Sequence, residues 1–218
     1  MHGLHGALMP DRVSVAVRVR GLVQGVGFRP TVWRIATDVG LIGDVSNDGQ
    51  GVLIRLKGRR EEIDTFIVRL RSEAPPISRI DSISENSIED FPDTDFKITH
   101  SKSGDIETGI TPDAAPCLEC LQEIHDANNR RYRYAFTNCT HCGPRLSIVR
   151  GIPYDRKNTS MDDFTMCEEC QAEYDNPVDR RFHAQPNACP ACGPKVWLQD
   201  GKGALLGGDD PIREAARL

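Results

Sequence analysis

The sequence predicts an α+β protein in which a two-layer βαββαβ sandwich precedes two small cysteine-rich units. Within residues 12–100, segments whose apolar side chains recur with the short period of strands alternate with segments that have the longer period of helices. Beyond residue 112, four Cys-x₂-Cys pairs occur, and the last two repeat the first two at a constant interval. These patterns predict one packed domain followed by a duplicated module that holds either disulfides or metal ions.

The first strand and the first helix enclose a glycine-rich loop. Residues 13–20 alternate apolar and polar side chains, which predicts a half-buried strand. A helix is predicted over residues 30–39, because proline suits the first helical turn and Gly40 follows the last one. Free amides in such a loop, and the positive end of the helix dipole, favour an anion. Arg29, where the loop meets the helix, can clamp a phosphate with two parallel hydrogen bonds.

The remaining segments complete the sandwich. Turn-forming residues around Asn47 separate two apolar runs, which predicts a hairpin. In the segment after it, apolar residues recur at i, i+3, i+4 and i+7, which predicts a helix that packs against the sheet. The order βαββαβ predicts a ferredoxin-like sandwich with two helices on one face of an antiparallel sheet. The predicted segments are the hairpin strands 41–46 and 51–57, the helix 60–71, and the strands 77–83 and 95–99.

Two stretches of this first domain resemble acylphosphatases. Residues 23–29 (VQGVGFR) resemble the phosphate loop of that family, and residues 43–49 (GDVSNDG) resemble its second signature. In the family the arginine binds the phosphoryl group and the asparagine orients the attacking water, so the resemblance implies catalytic roles for Arg29 and Asn47. Taken alone, Asn47 is better explained by turn chemistry. The phosphate-binding loop implied by the resemblance consists of Gln24, Gly25, Val26, Gly27, Phe28 and Arg29.

Length and charge limit the classes of protein to which this sequence can belong. The 218 residues suffice for one or two small domains, and the net charge of −5 argues against broad affinity for nucleic acid or anionic membranes. No apolar run reaches membrane-spanning length, and residues 1–10 lack the basic start and apolar core of a signal peptide. We therefore expect a cytoplasmic protein with reduced thiols, no membrane contact and a disordered tail over residues 1–11.

The cysteine spacing predicts two metal sites. Each cysteine of the first two pairs recurs 50 residues later (167 − 117 = 50 and 192 − 142 = 50), and no histidine recurs in this way. Two Cys-x₂-Cys pairs separated by 18 residues are typical of Cys₄ zinc sites, which are closed and structural. Pairing within each repeat is simplest, although the spacing also fits a nested pairing of the first pair with the last. The predicted ligands of two structural Zn²⁺ ions are Cys117, Cys120, Cys139, Cys142, Cys167, Cys170, Cys189 and Cys192.

Basic residues occur close to these cysteines in both repeats. Four thiolates and one Zn²⁺ ion would leave each site with a negative charge of about two units. We expect that charge to be offset by neighbouring basic side chains. The set consists of Arg130, Arg131, Arg145, Arg180, Arg181 and Lys195.

The combination of the two parts resembles one family in particular. Residues 137–145 (TNCTHCGPR), 158–161 (NTSM) and 179–186 (DRRFHAQP) resemble the N-terminal part of HypF-type carbamoyltransferases, which mature [NiFe]-hydrogenases. The resemblance implies that the first domain binds and hydrolyses carbamoyl phosphate. It also implies that ATP acts only through domains absent from this chain. Those domains would transfer the carbamoyl group to a cysteine of a hydrogenase maturation protein, as the precursor of the cyanide ligands.

The predicted organisation follows from these assignments. It comprises a tail at 1–11, an acylphosphatase-like domain at 12–100, a linker at 101–112, zinc fingers at 113–150 and 151–200, and the start of a truncated domain at 201–218. Two other functions stay open at this point. One is a general acylphosphatase with a structural zinc module, which would accept bulky acyl phosphates. The other is a non-enzymatic zinc module that binds protein or nucleic acid, the latter with a strong salt dependence.

Overall fold

The computed structural model describes residues 12–102, 104–206 and 210–217, so the predicted tail at 1–11 lies outside the described residues. The first domain contains two helices and five strands, and the second part contains short helices around the cysteines. In the first domain these are β1 (Val13–Leu22), α1 (Phe28–Val39), β2 (Ile42–Asp48), β3 (Gly51–Gly58), α2 (Arg60–Ser72), β4 (Arg79–Ser87) and β5 (Phe96–Ile98). The second part contains α3 (Leu118–His125), the 3₁₀ turns Arg156–Asn158 and Ser160–Asp163, α4 (Glu168–Asp175), β6 (Leu198–Gln199), β7 (Leu205–Leu206) and α5 (Pro211–Ala215).

The five strands of the first domain form one sheet in the order β4-β1-β3-β2-β5. β1, β2, β3 and β4 pair antiparallel, as predicted. β5 pairs parallel to β2, with Gly43 opposite Phe96, so the sheet is mixed and the expectation of a wholly antiparallel sheet is wrong. The reason is topological: after β4 the chain crosses to the opposite edge of the sheet and reverses its direction. The ferredoxin-like class itself is confirmed.

The core lies between one face of this sheet and the two helices. Val15, Val17 and Val19 of β1 are at most 2% exposed, which is the alternation expected of a half-buried strand. Of the four apolar positions predicted on α2, Ile63, Phe66 and Leu70 are fully buried and Ile67 packs at the edge of the core. Burying a side chain such as that of Phe66 stabilises a fold by about 1.5–3 kcal/mol. This core fixes β1, α1 and the loop between them.

The segment predicted as a linker packs along the tip of the β2–β3 hairpin. The Lys102 amide donates to the Asn47 carbonyl at 2.9 Å, and the Glu107 amide donates to the Gly49 carbonyl at 2.7 Å. A side chain at Gly49 would meet the Asp105 carbonyl oxygen 2.0 Å from its Cβ, so glycine is required there. Further along the segment, the Thr111 hydroxyl donates to the Gln24 carbonyl at 3.4 Å, so the segment also contacts the glycine-rich loop. Our division of the chain into domains stays a prediction.

The two cysteine-rich units repeat the same local structure. α3 and α4 each begin directly after the first cysteine of a pair and end 50 residues apart in the sequence (175 − 125 = 50). Arg133 and His183, which are also 50 residues apart, both adopt positive φ, at 58° and 54°. This backbone feature therefore belongs to the repeated fold. None of the helices in the described ranges is both long and apolar enough to cross a membrane.

Candidate anion site and metal centres

The loop before α1 presents free backbone amides. Gly27 precedes the helix in the left-handed region at φ 77°, and Gly25 has φ 75°, conformations that glycine adopts without strain. Among the described residues, the amides of Gly25, Val26, Gly27 and Phe28 donate to no protein acceptor. The side chains of Val26 and Phe28 are buried in the core, so only their backbone can face a ligand. An unpaired row of amides at a helix N-terminus is suited to an anion.

Gln24 has a different role from the rest of the predicted loop. Its side-chain amide nitrogen donates to the carbonyls of Asp48 at 2.7 Å and Gly51 at 2.9 Å. Its side-chain oxygen accepts from the Tyr154 amide at 2.9 Å. The Gln24 side chain thus ties the loop to the hairpin and to the connector between the fingers.

Asn47 and Arg29 line the same cavity as Gly25 and Gly27. Asn47 is 1% exposed, and its side-chain oxygen has no hydrogen-bond partner among the described residues. Leaving a buried polar atom unpaired costs about 1–3 kcal/mol, and such atoms in native proteins often have a functional role. The unpaired carboxamide fits a position that binds a ligand or a water molecule, and turn chemistry alone does not explain it.

Arg29 is buried, and its guanidinium is partly occupied by the chain itself. Its Nη2 forms an ion pair with Asp155 Oδ1 at 2.8 Å and donates to the Tyr154 carbonyl at 3.4 Å. Its Nη1 donates to Ser101 Oγ at 3.3 Å. A guanidinium has five N–H donors, so the Nε–H and one Nη1–H are left for another acceptor. The side chain can therefore bind an anion without giving up these contacts.

The finger region covers this site. These contacts between the finger region and the loop were not predicted from the sequence. Arg145 Nε donates to the Gly25 carbonyl, and Thr140 lies so close that a Cβ on Gly27 would approach it to 3.2 Å. Tyr154 and His183 also line the cavity. The periodicity of apolar residues reports only on neighbours in the sequence. It therefore cannot predict the contact between Gly25 and Arg145, which are 120 residues apart.

His183 is a buried histidine beside Arg29. Burial, and then the positive charge of Arg29, lower the pKa of His183 to about 4, against opposing effects of Asp175 and Asp155. Its ring packs against Tyr174 and Phe182, with centroid distances of 5.0 and 4.7 Å. Near neutral pH the imidazole is therefore uncharged and can donate or accept one hydrogen bond in the cavity.

This histidine should make stability depend on pH. An unfolded histidine takes up a proton near pH 6.5, while His183 in the folded chain resists protonation until about pH 4. The free energy of unfolding should therefore fall as the pH drops from about 6.5 to about 4. Urea unfolding of wild type and His183→Gln across this range measures the difference, with exposed His125→Gln as the control. Identical pH profiles for wild type and His183→Gln would contradict the assignment.

The eight cysteines form two clusters, one within each repeat. Cys117, Cys120, Cys139 and Cys142 form the first cluster, and the ligand atoms of each cluster all lie within 4.8 Å of one another. In the first cluster the sulfurs of Cys139 and Cys142 are 3.8 Å apart, and those of Cys117 and Cys139 are 3.7 Å apart. A tetrahedral ZnS₄ site with Zn–S bonds of about 2.3 Å has S–S edges of about 3.8 Å. The geometry fits two structural zinc ions.

The second cluster has the same spacing and settles the pairing. Cys167 and Cys189 are 3.7 Å apart, and Cys170 and Cys192 are 3.6 Å apart. The nested pairing considered from the sequence is therefore wrong, because every cysteine lies with its own repeat. Four thiolates with no open position hold a metal for structure, and the chemistry of the loop is separate from it.

Arginines of each repeat contact the cysteines of the other. Arg180 Nη1 donates to Cys120 Sγ at 2.9 Å, and both terminal nitrogens of Arg130 donate to Cys170 Sγ at 3.4 Å. Arg131 and Arg181 form ion pairs with Glu173 and Glu123 of the opposite repeat. The positive side chains of each repeat thus offset negative charge on the cysteines and glutamates of the other repeat.

Two of the six expected basic residues behave differently. Arg145 donates to carbonyls of the first knuckle, including that of Cys142 at 2.7 Å, and to the loop carbonyl of Gly25. Arg145 is almost fully buried, and its Nη2 also donates to the Cys139 and Thr140 carbonyls of the knuckle. Lys195 is exposed. Unlike Arg130 and Arg180, these two side chains donate to no cysteine sulfur among the described residues, and their part in offsetting the charge stays a prediction.

The reciprocal contacts predict selective effects on zinc retention. Arg180→Ala should weaken retention at the site of Cys120 by about 10- to 100-fold, because partners of metal ligands typically contribute that much. Arg130→Ala should act on the site of Cys170 instead. Competition with a zinc chelator, followed by mass spectrometry of the intact chain, measures the loss of the first ion. An exposed arginine, Arg79→Ala, is the control. Equal effects of both variants on both sites would contradict the prediction.

Comparison with known proteins identifies the same two parts. The Acylphosphatase family profile matches residues 15–98, and the HypF finger profile matches residues 117–149 and 166–199. The "Acylphosphatase" of Mannheimia succiniciproducens is 43% identical over 84 residues, which are 38% of this chain and 83% of that protein. The "Carbamoyltransferase HypF" of Rhodobacter capsulatus is 53% identical over 204 residues, which are 93% of this chain and 27% of that protein.

A solved structure shows the same arrangement. The crystal structure of full-length HypF in its phosphate- and nucleotide-bound form matches with a TM-score of 0.87 and 43% identity, covering 97% of this chain and 28% of that one. The chain thus spans about a quarter of the length of the HypF proteins that it matches. It belongs to the acylphosphatase family through residues 15–98, and with its two HypF fingers it corresponds to the acylphosphatase-and-finger region of the HypF carbamoyltransferases that it matches.

Proposed function

We propose that this chain binds and hydrolyses carbamoyl phosphate as the acylphosphatase-and-finger region of a carbamoyltransferase for [NiFe]-hydrogenase maturation. The observation that carries the proposal is the cavity in which free loop amides, a buried arginine and an unpaired carboxamide converge. A HypF relative is named a carbamoyltransferase, and a HypF structure was solved with phosphate bound. Both descriptions support a phosphorylated carbamoyl substrate.

The proposed reaction assigns one task to each group. The amides of residues 25–28 and the free N–H groups of Arg29 hold the phosphoryl oxygens. Asn47 orients a water molecule, whose oxygen bonds to phosphorus as the bond from phosphorus to the bridging oxygen breaks. The products are inorganic phosphate and carbamate, which leaves as an anion. Such a reaction needs positioning and charge stabilisation more than covalent help, so Arg29 and Asn47 suffice as the proposed catalytic residues.

The finger-region lining of the cavity favours carbamoyl phosphate over bulkier substrates. Thr140, Tyr154 and His183 line the cavity beside the loop, so a bulky acyl group bound there would have to fit against them. We expect phosphate release from carbamoyl phosphate to have a kcat/KM at least 10-fold above that for an acyl phosphate with an aromatic acyl group. The comparison uses the whole chain and measures released phosphate. A clear preference for the aromatic substrate would favour a general acylphosphatase instead.

The remaining steps require protein beyond this chain. Carbamate would pass to ATP-using domains, and the carbamoyl group would then be transferred to a cysteine of a hydrogenase maturation protein. Two clusters of reduced thiols support a reducing compartment such as the cytoplasm. The third function considered, nucleic-acid binding, has little support because Arg130, Arg131, Arg180 and Arg181 are engaged by glutamates of the opposite repeat.

A further inference from the structure

Asp155, in the connector between the two fingers, holds the guanidinium of Arg29. The ion pair joins Arg29 Nη2 to Asp155 Oδ1 at 2.8 Å, and the two side chains are only 9% and 16% exposed. The partners come from different parts of the chain, 126 residues apart (155 − 29 = 126). An ion pair this buried is costly to form, and removing one partner leaves a buried charge without a partner. Its position beside the anion loop therefore needs an explanation.

The contacts of Arg29 involve the two terminal nitrogens of its guanidinium. Nη2 forms the ion pair with Asp155 and donates to the Tyr154 carbonyl, and Nη1 donates to Ser101 Oγ. A guanidinium is planar and rigid, so contacts that hold its two terminal nitrogens also fix the direction of the remaining Nε–H and Nη1–H. Among the described residues, those lining the cavity include Arg29 but not Asp155. The carboxylate thus contacts Arg29 without itself lining the cavity.

Asp155 is itself fixed relative to the loop. Its amide donates to the Pro153 carbonyl at 2.9 Å, and its carbonyl accepts from the Asn158 amide at 2.8 Å. The amide of the preceding residue, Tyr154, donates to the side chain of Gln24 in the loop. The turn that carries the carboxylate is therefore anchored to the same loop that would bind the phosphoryl group.

We propose that Asp155 is a positioning residue that orients Arg29 towards the phosphoryl group, so that the finger region completes the anion site. The inference rests on the proposed hydrolysis of carbamoyl phosphate. Correct placement of a charged donor within a fraction of an ångström contributes on the order of 10- to 100-fold to rate. Two other roles give different results: a contact that only joins the two parts, and a carboxylate that competes with the substrate for Arg29.

The kinetic test uses the whole chain and carbamoyl phosphate. Asp155→Asn keeps the size of the side chain and should lower kcat about 10- to 100-fold, with KM changed less than about threefold. Asp155→Glu should recover part of the loss. In the Arg29→Ala background, Asp155→Asn should have no further effect, because it acts through that arginine. Asp163→Asn, an exposed carboxylate of the same connector, is the matched control.

A second measurement does not depend on turnover. Nitrogen-15 NMR of the arginine side chains should show restrained, separate Nη signals for Arg29 in wild type, assigned by their loss in Arg29→Lys. In Asp155→Asn these signals should merge as the guanidinium rotates. If wild type does not hydrolyse carbamoyl phosphate, the proposed function fails, and the NMR result alone decides whether Asp155 orients Arg29.

The inference is overturned by any of three results. Unchanged kcat in Asp155→Asn, with lower stability only, would make the pair a contact that joins the two parts. Faster turnover together with stronger inhibition by inorganic phosphate would make Asp155 a competitor. Restrained Arg29 signals that persist in Asp155→Asn would show that other groups orient the guanidinium.

Discussion

Arg29→Ala should lower kcat for carbamoyl phosphate hydrolysis by about 10²- to 10³-fold, equivalent to about 2.7–4 kcal/mol of lost transition-state stabilisation. The reason is that Arg29 lines the cavity beside the loop amides, and its Nε–H and one Nη1–H have no partner among the described residues. Arg29→Lys should recover little of the loss, because an ammonium keeps the charge but lacks the planar fork that binds two oxygens. Release of inorganic phosphate under saturating substrate measures both effects.

Two controls separate chemistry from folding in this experiment. Removing Arg29 leaves Asp155 buried without its partner, so zinc content and urea unfolding should be measured beside kcat. Arg34→Ala removes an exposed arginine of the same helix and should leave kcat unchanged. Asn47→Ala should lower kcat while KM stays similar, because the carboxamide acts on water in the proposed reaction. Turnover by folded Arg29→Ala at the wild-type rate would contradict the site assignment.

Removal of zinc should unfold the finger region and leave the sheet of the first domain folded. Binding of structural zinc contributes about 10–16 kcal/mol of free energy in small zinc fingers at neutral pH. The apolar groups buried beside the first cluster are few, whereas the first domain has its own core around Val17, Ile54 and Phe66. Hydrogen exchange after chelation should therefore show lost protection in α3 and α4 and retained protection in β1 and β3.

The same experiment tests the cover over the anion site. Metal analysis should give two zinc ions per chain before chelation and none after it. Loss of the fingers would release Arg145 from the loop and Asp155 from Arg29, so turnover should fall with zinc content and return when zinc is added back. Cys120→Ser, which removes one ligand, should reproduce the loss without a chelator. Protected amides in α3 and α4 of the zinc-free chain would contradict a structural role for the metal.

Local sequence patterns predicted most elements of this structure. The alternation in β1, the helical period in α2 and the glycines around Arg29 each arise from neighbouring residues, and each element lies where its pattern indicates. The repeat of the cysteines likewise gave the ligand set. The prediction succeeded where the physical cause acts between residues close in sequence or where a spacing is repeated.

Contacts distant in sequence were not predicted. The direction of β5 depends on how the chain crosses from one edge of the sheet to the other, and the period of apolar residues carries no information about this crossing. Arg145 was assigned to zinc charge because it follows a knuckle closely, yet its guanidinium reaches Gly25, which lies 120 residues earlier. Asp155 and His183 gave no signal, since a single carboxylate or imidazole in a connector is ordinary until its neighbours in space are known.

The reciprocal contacts of the fingers have a consequence for the origin of the module. Arg131 Nε donates to the Ala188 carbonyl and Arg181 Nε donates to the Asn138 carbonyl, both at 3.0 Å. Adding 50 to the donor's number and subtracting 50 from the acceptor's number converts the first contact into the second (131 + 50 = 181 and 188 − 50 = 138). A contact set that maps onto itself in this way has the symmetry of a two-fold homodimer. A lone ancestral unit could have made these contacts only by associating with a second copy. Fusion in tandem makes that association independent of protein concentration.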